Sequence, residues 1–196
     1  MSSDLSEEIA AAAARLVVDE GMEYPAAKRK AARDLGRRGG RQGELPSNEQ
    51  VEDAVREYIA IFCADTQPAE LRALRQLALR WMERLAVFRP HLGGAVWRGT
   101  ATRLSNIVID LYCDDPKSAE IAFLNEGLDF DSGSDDPDTV ILSTVDRSRE
   151  LPEPVTLHFV VHDHDDLRGA LRPDSRGQSW RGDAPALRQR LQEDVA

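Results

Sequence analysis

Cysteine is scarce in this 196-residue chain: there are two, Cys63 and Cys113, with no CxxC or other zinc spacing. That excludes a disulfide framework and a cysteine-based zinc site. Both are expected to be buried reduced thiols, as suits a reducing compartment. Long apolar runs are also missing, and none approaches the roughly 20 residues of a membrane span. The opening Met-Ser-Ser-Asp-Leu-Ser-Glu-Glu has neither the basic nor the apolar region of a signal peptide. A cytoplasmic protein without membrane contact is therefore expected. Positive charge is in deficit, with 25 Lys and Arg against 35 Asp and Glu and a formal net charge of -10. Such a surface repels phosphate backbones on average, which excludes a general nucleic-acid binder unless the basic residues cluster.

Hydrophobic residues at 41% and charged residues at 31% are ordinary for a folded globular chain. Ser6-Glu7-Glu8 caps an Ala-rich helix to Val18, ended by Gly21. Tyr24-Pro25 opens a second helix to about Leu35, ended by Gly36. Residues 36 to 47 have linker composition, so 1–46 reads as a helical hairpin with a basic linker. From Asn48, Val51, Val55, Tyr58, Ile59 and Phe62 recur at three and four and predict a helix. A further helix beginning at Thr66 and Pro68 carries Leu71, Leu74, Leu77, Leu79, Trp81, Leu85 and Phe88 and ends by Pro90. Its broad apolar face fits packing within one chain or across a homodimer. These helices, 47–90, are expected to pack on a core at 91–196.

After Gly93-Gly94 the apolar period falls from about 3.6 to about 2. Strands are predicted at 95–98, 106–113, 139–145 and 155–162, a helical turn at 100–104, and helices at 116–126 and 184–193. The interval Asp129 to Asp138 reads as an acidic exposed loop. The fold class is α/β (α+β): a helical N-terminal region followed by a core with a small mixed sheet.

Ala95-Val96-Trp97-Arg98-Gly99-Thr100-Ala101, followed by Ser105-Asn106-Ile107-Val108-Ile109-Asp110-Leu111, resembles the start of a nucleotidyltransferase core of the polymerase-beta type. The resemblance covers roughly residues 69 to 165. In that family a short strand ends in Gly-Ser or Gly-Thr, a helical turn follows, and the next strand carries an Asp-x-Asp pair that holds magnesium. The resemblance implies that Gly99, Thr100, Arg103 and Ser105 meet the phosphates of a nucleoside triphosphate. It also implies that Asp110 and Asp163 are the catalytic carboxylates and, with His158 as a further ligand, hold Mg2+ in an active enzyme. Aligned on Ser-Asp-hydrophobic-Asp, however, Asn106 and Val108 stand in place of the two carboxylates. An amide is a weaker oxygen ligand than a carboxylate and valine offers none, so the residues favour lost metal chemistry. Asp110 shares a strand face with 106 and 108, one pleat further on. A Gly-Thr pair that ends a strand and caps a helix also needs no ligand.

The run His158-Phe159-Val160-Val161-His162-Asp163-His164-Asp165-Asp166 is the second cluster. Alternation places His158, His162 and His164 on one side, where imidazoles suit a transition metal, and a set of His158, His162 and Asp110 on adjacent strands is conceivable. A solvated strand end is the plainer alternative. The one strongly positive stretch is Lys28, Arg29, Lys30, Arg33, Arg37, Arg38 and Arg41. It suits nucleic-acid phosphates or a solvated face, and only Tyr24 offers a ring for stacking. Over its length the chain is also similar to an uncharacterised bacterial group sometimes labelled UDP-N-acetylmuramate-alanine ligases. Such ligases need an ATP loop ending in Gly-Lys-Thr or Gly-Lys-Ser and several domains, and the residues do not provide them. The expectation is a nucleotidyltransferase-like protein, divergent or inactive, that binds nucleoside triphosphate. The competing expectation is a non-catalytic module that binds nucleic acid or protein.

Overall fold

A computed structural model describes residues 2–36, 45–134, 139–174 and 176–195. Most of the expected linker, Arg37, Arg38 and Arg41 of the basic stretch, and the end of the acidic loop lie outside the described residues. The chain divides into two compact units, 1–68 and 69–196. The expected boundary after residue 46 thus moves, because the helix from Asn48 packs with the hairpin before it.

The first unit holds α1 (Ser2–Glu20), α2 (Tyr24–Asp34) and α3 (Asn48–Phe62). The first helix begins four residues ahead of the predicted cap at Ser6. Pro25 sits in the first turn of α2, where no backbone N–H is needed. Ser47 closes a capping box on α3: its Oγ accepts from the Gln50 backbone N–H at 3.1 Å, and its own N–H donates to Gln50 Oε1 at 2.8 Å. The core is built from small side chains, with Ala13, Ala14, Ala27 and Ala31 buried beside Ile9, Val51 and Val55. Alanine lets the helix backbones approach closely and loses no side-chain entropy on burial.

The second unit contains α4 (Gln67–Arg84), β1 (His91–Gly93), α5 (Gly94–Arg98), β2 (Ile107–Cys113) and α6 (Pro116–Asn125). After these come β3 (Asp131–Gly133), β4 (Val140–Asp146), β5 (Val155–Asp163) and α7 (Ala184–Glu193). Short 3-10 turns cover Ala86–Phe88 and His164–Gly169. The five strands form one mixed sheet in the order β1-β2-β5-β4-β3, with β2 and β5 parallel and the other pairs antiparallel. The α/β class and the small mixed sheet are as expected from the sequence.

One sheet face is the core. Ile107, Ile109 and Leu111 of β2, Leu157 and Phe159 of β5, and Leu142 of β4 are buried with Leu74, Leu77, Trp81 and Leu85 of α4. The apolar face of α4 is therefore used up within its own chain. Burying a Leu or Phe side chain contributes about 1.5–3 kcal/mol, so this layer is the main stabilising element of the unit.

Three sequence expectations are corrected. Asp131–Gly133, expected within an exposed acidic loop, are exposed but form β3 against β4. Residues 95–98 are not a strand but a turn of helix, and 100–104 are not helical. Gly94 (φ 63) and Gly99 (φ 91) take left-handed backbone at either end of the turn and bend the chain out of extension. The strand in this region is β1, six residues before the expected glycine, paired to β2 with His91 opposite Asp110 and Gly93 opposite Val108.

Candidate functional site on the second sheet face

Strand alternation sends Val108, Asp110 and Tyr112 of β2, His158, Val160 and His162 of β5, and Ile141 and Ser143 of β4 to the face opposite the core. Most of them are half-exposed. The polar members fall into two groups separated by Val108 and Val160.

The first group centres on Asp110, a carboxylate only 5% exposed. His162 Nε2 lies 2.6 Å from its Oδ1, and Arg181 Nε lies 3.0 Å from its Oδ2. Both oxygens thus accept from nitrogen donors, and a buried carboxylate is tolerated because it is paired. Tyr112 stacks on His162 with centroids 5.2 Å apart and accepts from Arg181 Nη1 at 3.3 Å. Burial, and next the negative charge of Asp110, pushes the Tyr112 phenol above its usual range. The second group is a cross-strand row: Ser143 Oγ is 2.8 Å from His158 Nδ1, and His158 Nε2 is 3.3 Å from the Asn106 amide.

Arg181 arrives on a segment strapped against the sheet edge. Gly182 exchanges two backbone hydrogen bonds with Leu92, at 2.8 and 3.0 Å, and Trp97 Nε1 donates to the Ser179 carbonyl at 2.9 Å. A cavity of about 230 Å³ opens between this strap and the strand end, lined by Gly93, Gly94, Arg98, Val108, Asp110 and Arg181, with Trp180 at its side. The Arg98 guanidinium lies 5.3 Å over the Trp180 ring. Below, Arg75 is 4% exposed and donates to the carbonyls of Val96 and Trp97, each at 3.0 Å, and to Asp194 at 2.8 Å. Those carbonyls are the ones a helix end leaves unpaired, so Arg75 fixes the end of α5.

No family model, curated protein or solved structure matches the chain.

The residues singled out in the sequence separate in space. Asp110 and His162 come together, whereas His158 pairs with Ser143 and Asn106. Asp163 does not join Asp110: it lies on the other parity of β5, is exposed, and accepts from the Asp165 N–H as a cap. His164 leaves the strand and meets Arg89, whose Nη1 is 2.6 Å from His164 Nδ1. Gly99 is the left-handed cap of α5, and Thr100 is buried behind it, its hydroxyl without a partner among the described residues. Arg103 is engaged with Glu153, and Ser105 Oγ accepts from the Thr102 N–H at 2.9 Å. Both hold the loop before β2. The order of strand, glycine pair, helical turn and strand is present, with Gly93-Gly94 where Gly99-Thr100 was expected.

The donor set does not fit a two-magnesium centre. Magnesium needs several hard, unclaimed oxygens in octahedral array. Asp110 has committed both of its own to cationic or imidazole donors, Val108 and Val160 flank it, and the group around it is an imidazole, a guanidinium and a phenol, with no second carboxylate among those contacts. Among the described residues no group of three His, Cys, Asp or Glu converges on one ion position. Among the described residues Cys63 and Cys113 form no disulfide, and both are half-buried, not fully buried as expected. Burial raises the pKa of the Cys113 thiol. Among the described residues no helix is long and apolar enough to cross a membrane.

Arg75, Trp97, Trp180 and Arg181 escape the sequence reading. Arg75 leaves a trace, a charged residue between Leu74 and Leu77 on an otherwise apolar face. The Trp180-Arg181-Gly182 strap leaves none, since it sits in a stretch of tail-like composition.

Proposed function

We propose that the chain is a nucleotidyltransferase-like binding module that takes a nucleoside triphosphate on the open sheet face without performing two-magnesium nucleotidyl transfer. The observation that carries this reading is the state of Asp110. Its carboxylate, the one acid on the face of β2, is closed by Arg181 and His162. In an active member of the family that position would be open to a metal ion. Arg98 lines the small cavity beside it and supplies positive charge for phosphate, the Arg181 charge being matched by Asp110, and Trp180 offers a ring for the base. At about 230 Å³ the cavity suits phosphate groups, and the base would lie along the strap.

Isothermal titration of the protein with ATP and the other nucleoside triphosphates, with and without magnesium or manganese, tests the reading. Binding that is independent of the metal and about tenfold or more weaker in Arg98→Ala supports it. Binding that needs magnesium and is lost in Asp110→Ala supports an active, displaced carboxylate site. Absence of binding to any triphosphate removes the nucleotide reading.

A second reading, contact with nucleic acid through α2, rests on Arg29 and Arg33. Both are exposed, while Lys28 is bonded to Pro46 O and Asn48 and Lys30 is paired with Glu20 at 2.7 Å. Counterion release makes such binding fall steeply with salt, which a fluorescence titration at two salt concentrations measures.

A further inference from the structure

We propose that a second groove, which meets the first site where the His91 ring packs edge-on against Tyr112 at 5.4 Å, binds an uncharged, largely apolar small molecule that carries a hydroxyl group, of phenolic type. The groove runs between the end of α4, the Arg89–His91 turn, the Leu167–Leu171 segment and the start of α7, and encloses about 580 Å³. That lies within the roughly 300–1,000 Å³ of small-molecule sites. Its walls are apolar, from Met82, Ala86, Pro90, Leu167, Leu171 and Pro185.

Charge decides against an ionic ligand. Glu83, Asp183, Arg89 and Arg188 line the groove, two of each sign. Arg188 pairs with Glu83 at 2.7 Å, and the Asp183 carboxylate accepts from the Ala186 N–H at the start of α7 at 3.0 Å. Arg89 is held against His164. The groove therefore has no net charge with which to select an anion or a cation.

His91 supplies the polar contact. It lines the groove and is 6% exposed. Its Nδ1 lies 2.8 Å from the Arg89 carbonyl oxygen, which can only accept, so Nδ1 carries the hydrogen. In the neutral ring Nε2 is then an acceptor, and no donor reaches it among the described residues. The Arg89 backbone is left-handed, φ 50 and ψ 58, the one such non-glycine residue among those described. Strained backbone of this kind is kept where the surroundings require it, and here it turns the carbonyl onto His91 and so fixes the tautomer. An acceptor that opens onto an apolar wall favours a ligand that donates one hydrogen bond. A hydroxyl does this without charge. A carboxylate cannot donate, and an amine would bring a charge the groove does not balance.

Isothermal titration of the whole protein with 2-naphthol, 2-methoxynaphthalene and 2-naphthoate tests the assignment. These share one apolar body and differ in donating, only accepting, or carrying charge. The expected result is that 2-naphthol binds about tenfold tighter than the methoxy compound, the worth of one buried hydrogen bond. That preference should vanish in His91→Phe. Leu171→Arg, at a position 48% exposed and so safe for folding, should weaken 2-naphthol binding at least tenfold. Equal binding of the naphthol and methoxy compounds, tighter binding of naphthoate, indifference to Leu171→Arg, or no binding of naphthol would each overturn the proposal. Should His91→Phe fail to fold, the ligand series and Leu171→Arg still decide it.

Discussion

Single residues hold the candidate site together through contacts that leave no slack. Gly182 is the clearest: a Cβ placed there would come within 2.1 Å of the Trp97 ring. Neither the bridge to Leu92 nor the packed indole can shift that far, so only glycine fits. Gly182→Ala should destabilise the second unit by about 1–3 kcal/mol, as overpacking does, with a change in tryptophan emission because Trp97 and Trp180 are both anchored by the strap. Urea unfolding followed by fluorescence measures it, and an unchanged midpoint would mean that the strap is not docked. Tyr112 offers a test by pH. Its folded-state pKa is raised, chiefly by burial, so the folded protein holds the phenolic proton more tightly than the unfolded chain. That contribution is complete below pH of about 10, the unfolded value, and is lost as pH rises through the folded one. The difference in urea midpoint between wild type and Tyr112→Phe should therefore shift against wild type above pH of about 10, and a constant difference from pH 8 to 11 would refute the assignment.

At the scale of elements, the sequence is most legible where one period runs for several residues. The strands 107–113, 140–146 and 155–163 and the helix 184–193 stand within a residue or so of where alternation and capping place them. The element misread is the one on which the family resemblance rested. Ala95-Val96-Trp97-Arg98 is four residues long, and a short apolar run does not distinguish strand from helix. What decides it is tertiary: Arg75, 20 residues earlier at the nearest, caps the Val96 and Trp97 carbonyls, and Arg190 stacks 3.7 Å over the Trp97 ring. β1 and β3 were missed for a related reason. His91-Leu92-Gly93 and Asp131-Ser132-Gly133 have turn-like composition and become strands only because longer strands lie beside them. The candidate site was legible in part: Asp110 and His162 could be placed on one face by alternation, but the parity of Asp163 and the arrival of Arg181 depend on the chain beyond the strand. The role of Arg75 leads to a prediction at this scale. Arg75→Met keeps the volume and removes three donated bonds: the Val96 carbonyl loses its Arg75 donor, the Trp97 carbonyl keeps only Arg190, at 2.7 Å, and the Asp194 carboxylate, a third exposed, turns to solvent. It should cost about 1–3 kcal/mol, the range for leaving a buried acceptor without its donor. Chemical denaturation checks it, and a loss below about 1 kcal/mol would show the end of α5 to be solvated.

For the whole molecule, the division at Pro68 sets how it unfolds. Each unit has its own apolar cluster, alanine-rich in 1–68 and built from leucine, phenylalanine and tryptophan in 69–196. Apolar burial contributes about 25 cal/mol per Å², and an alanine side chain removes far less area from water than a leucine, so the first unit is the weaker of the two. Two probes separate them. All three tryptophans, Trp81, Trp97 and Trp180, belong to the second unit, whereas helix content comes from both. Thermal unfolding followed by far-ultraviolet circular dichroism should therefore begin at a lower temperature than the change in tryptophan fluorescence, since coincident transitions are the mark of a single cooperative unit. Val55→Ala, at a fully buried position of α3, should lower the first transition and leave the fluorescence transition in place. Phe159→Ala, buried in the sheet core, should do the reverse, at a cost of about 3–5 kcal/mol to the second unit. Superimposable curves for wild type and both variants would mean that the two cores unfold as one, and a fluorescence shift in Val55→Ala would measure how strongly they are coupled.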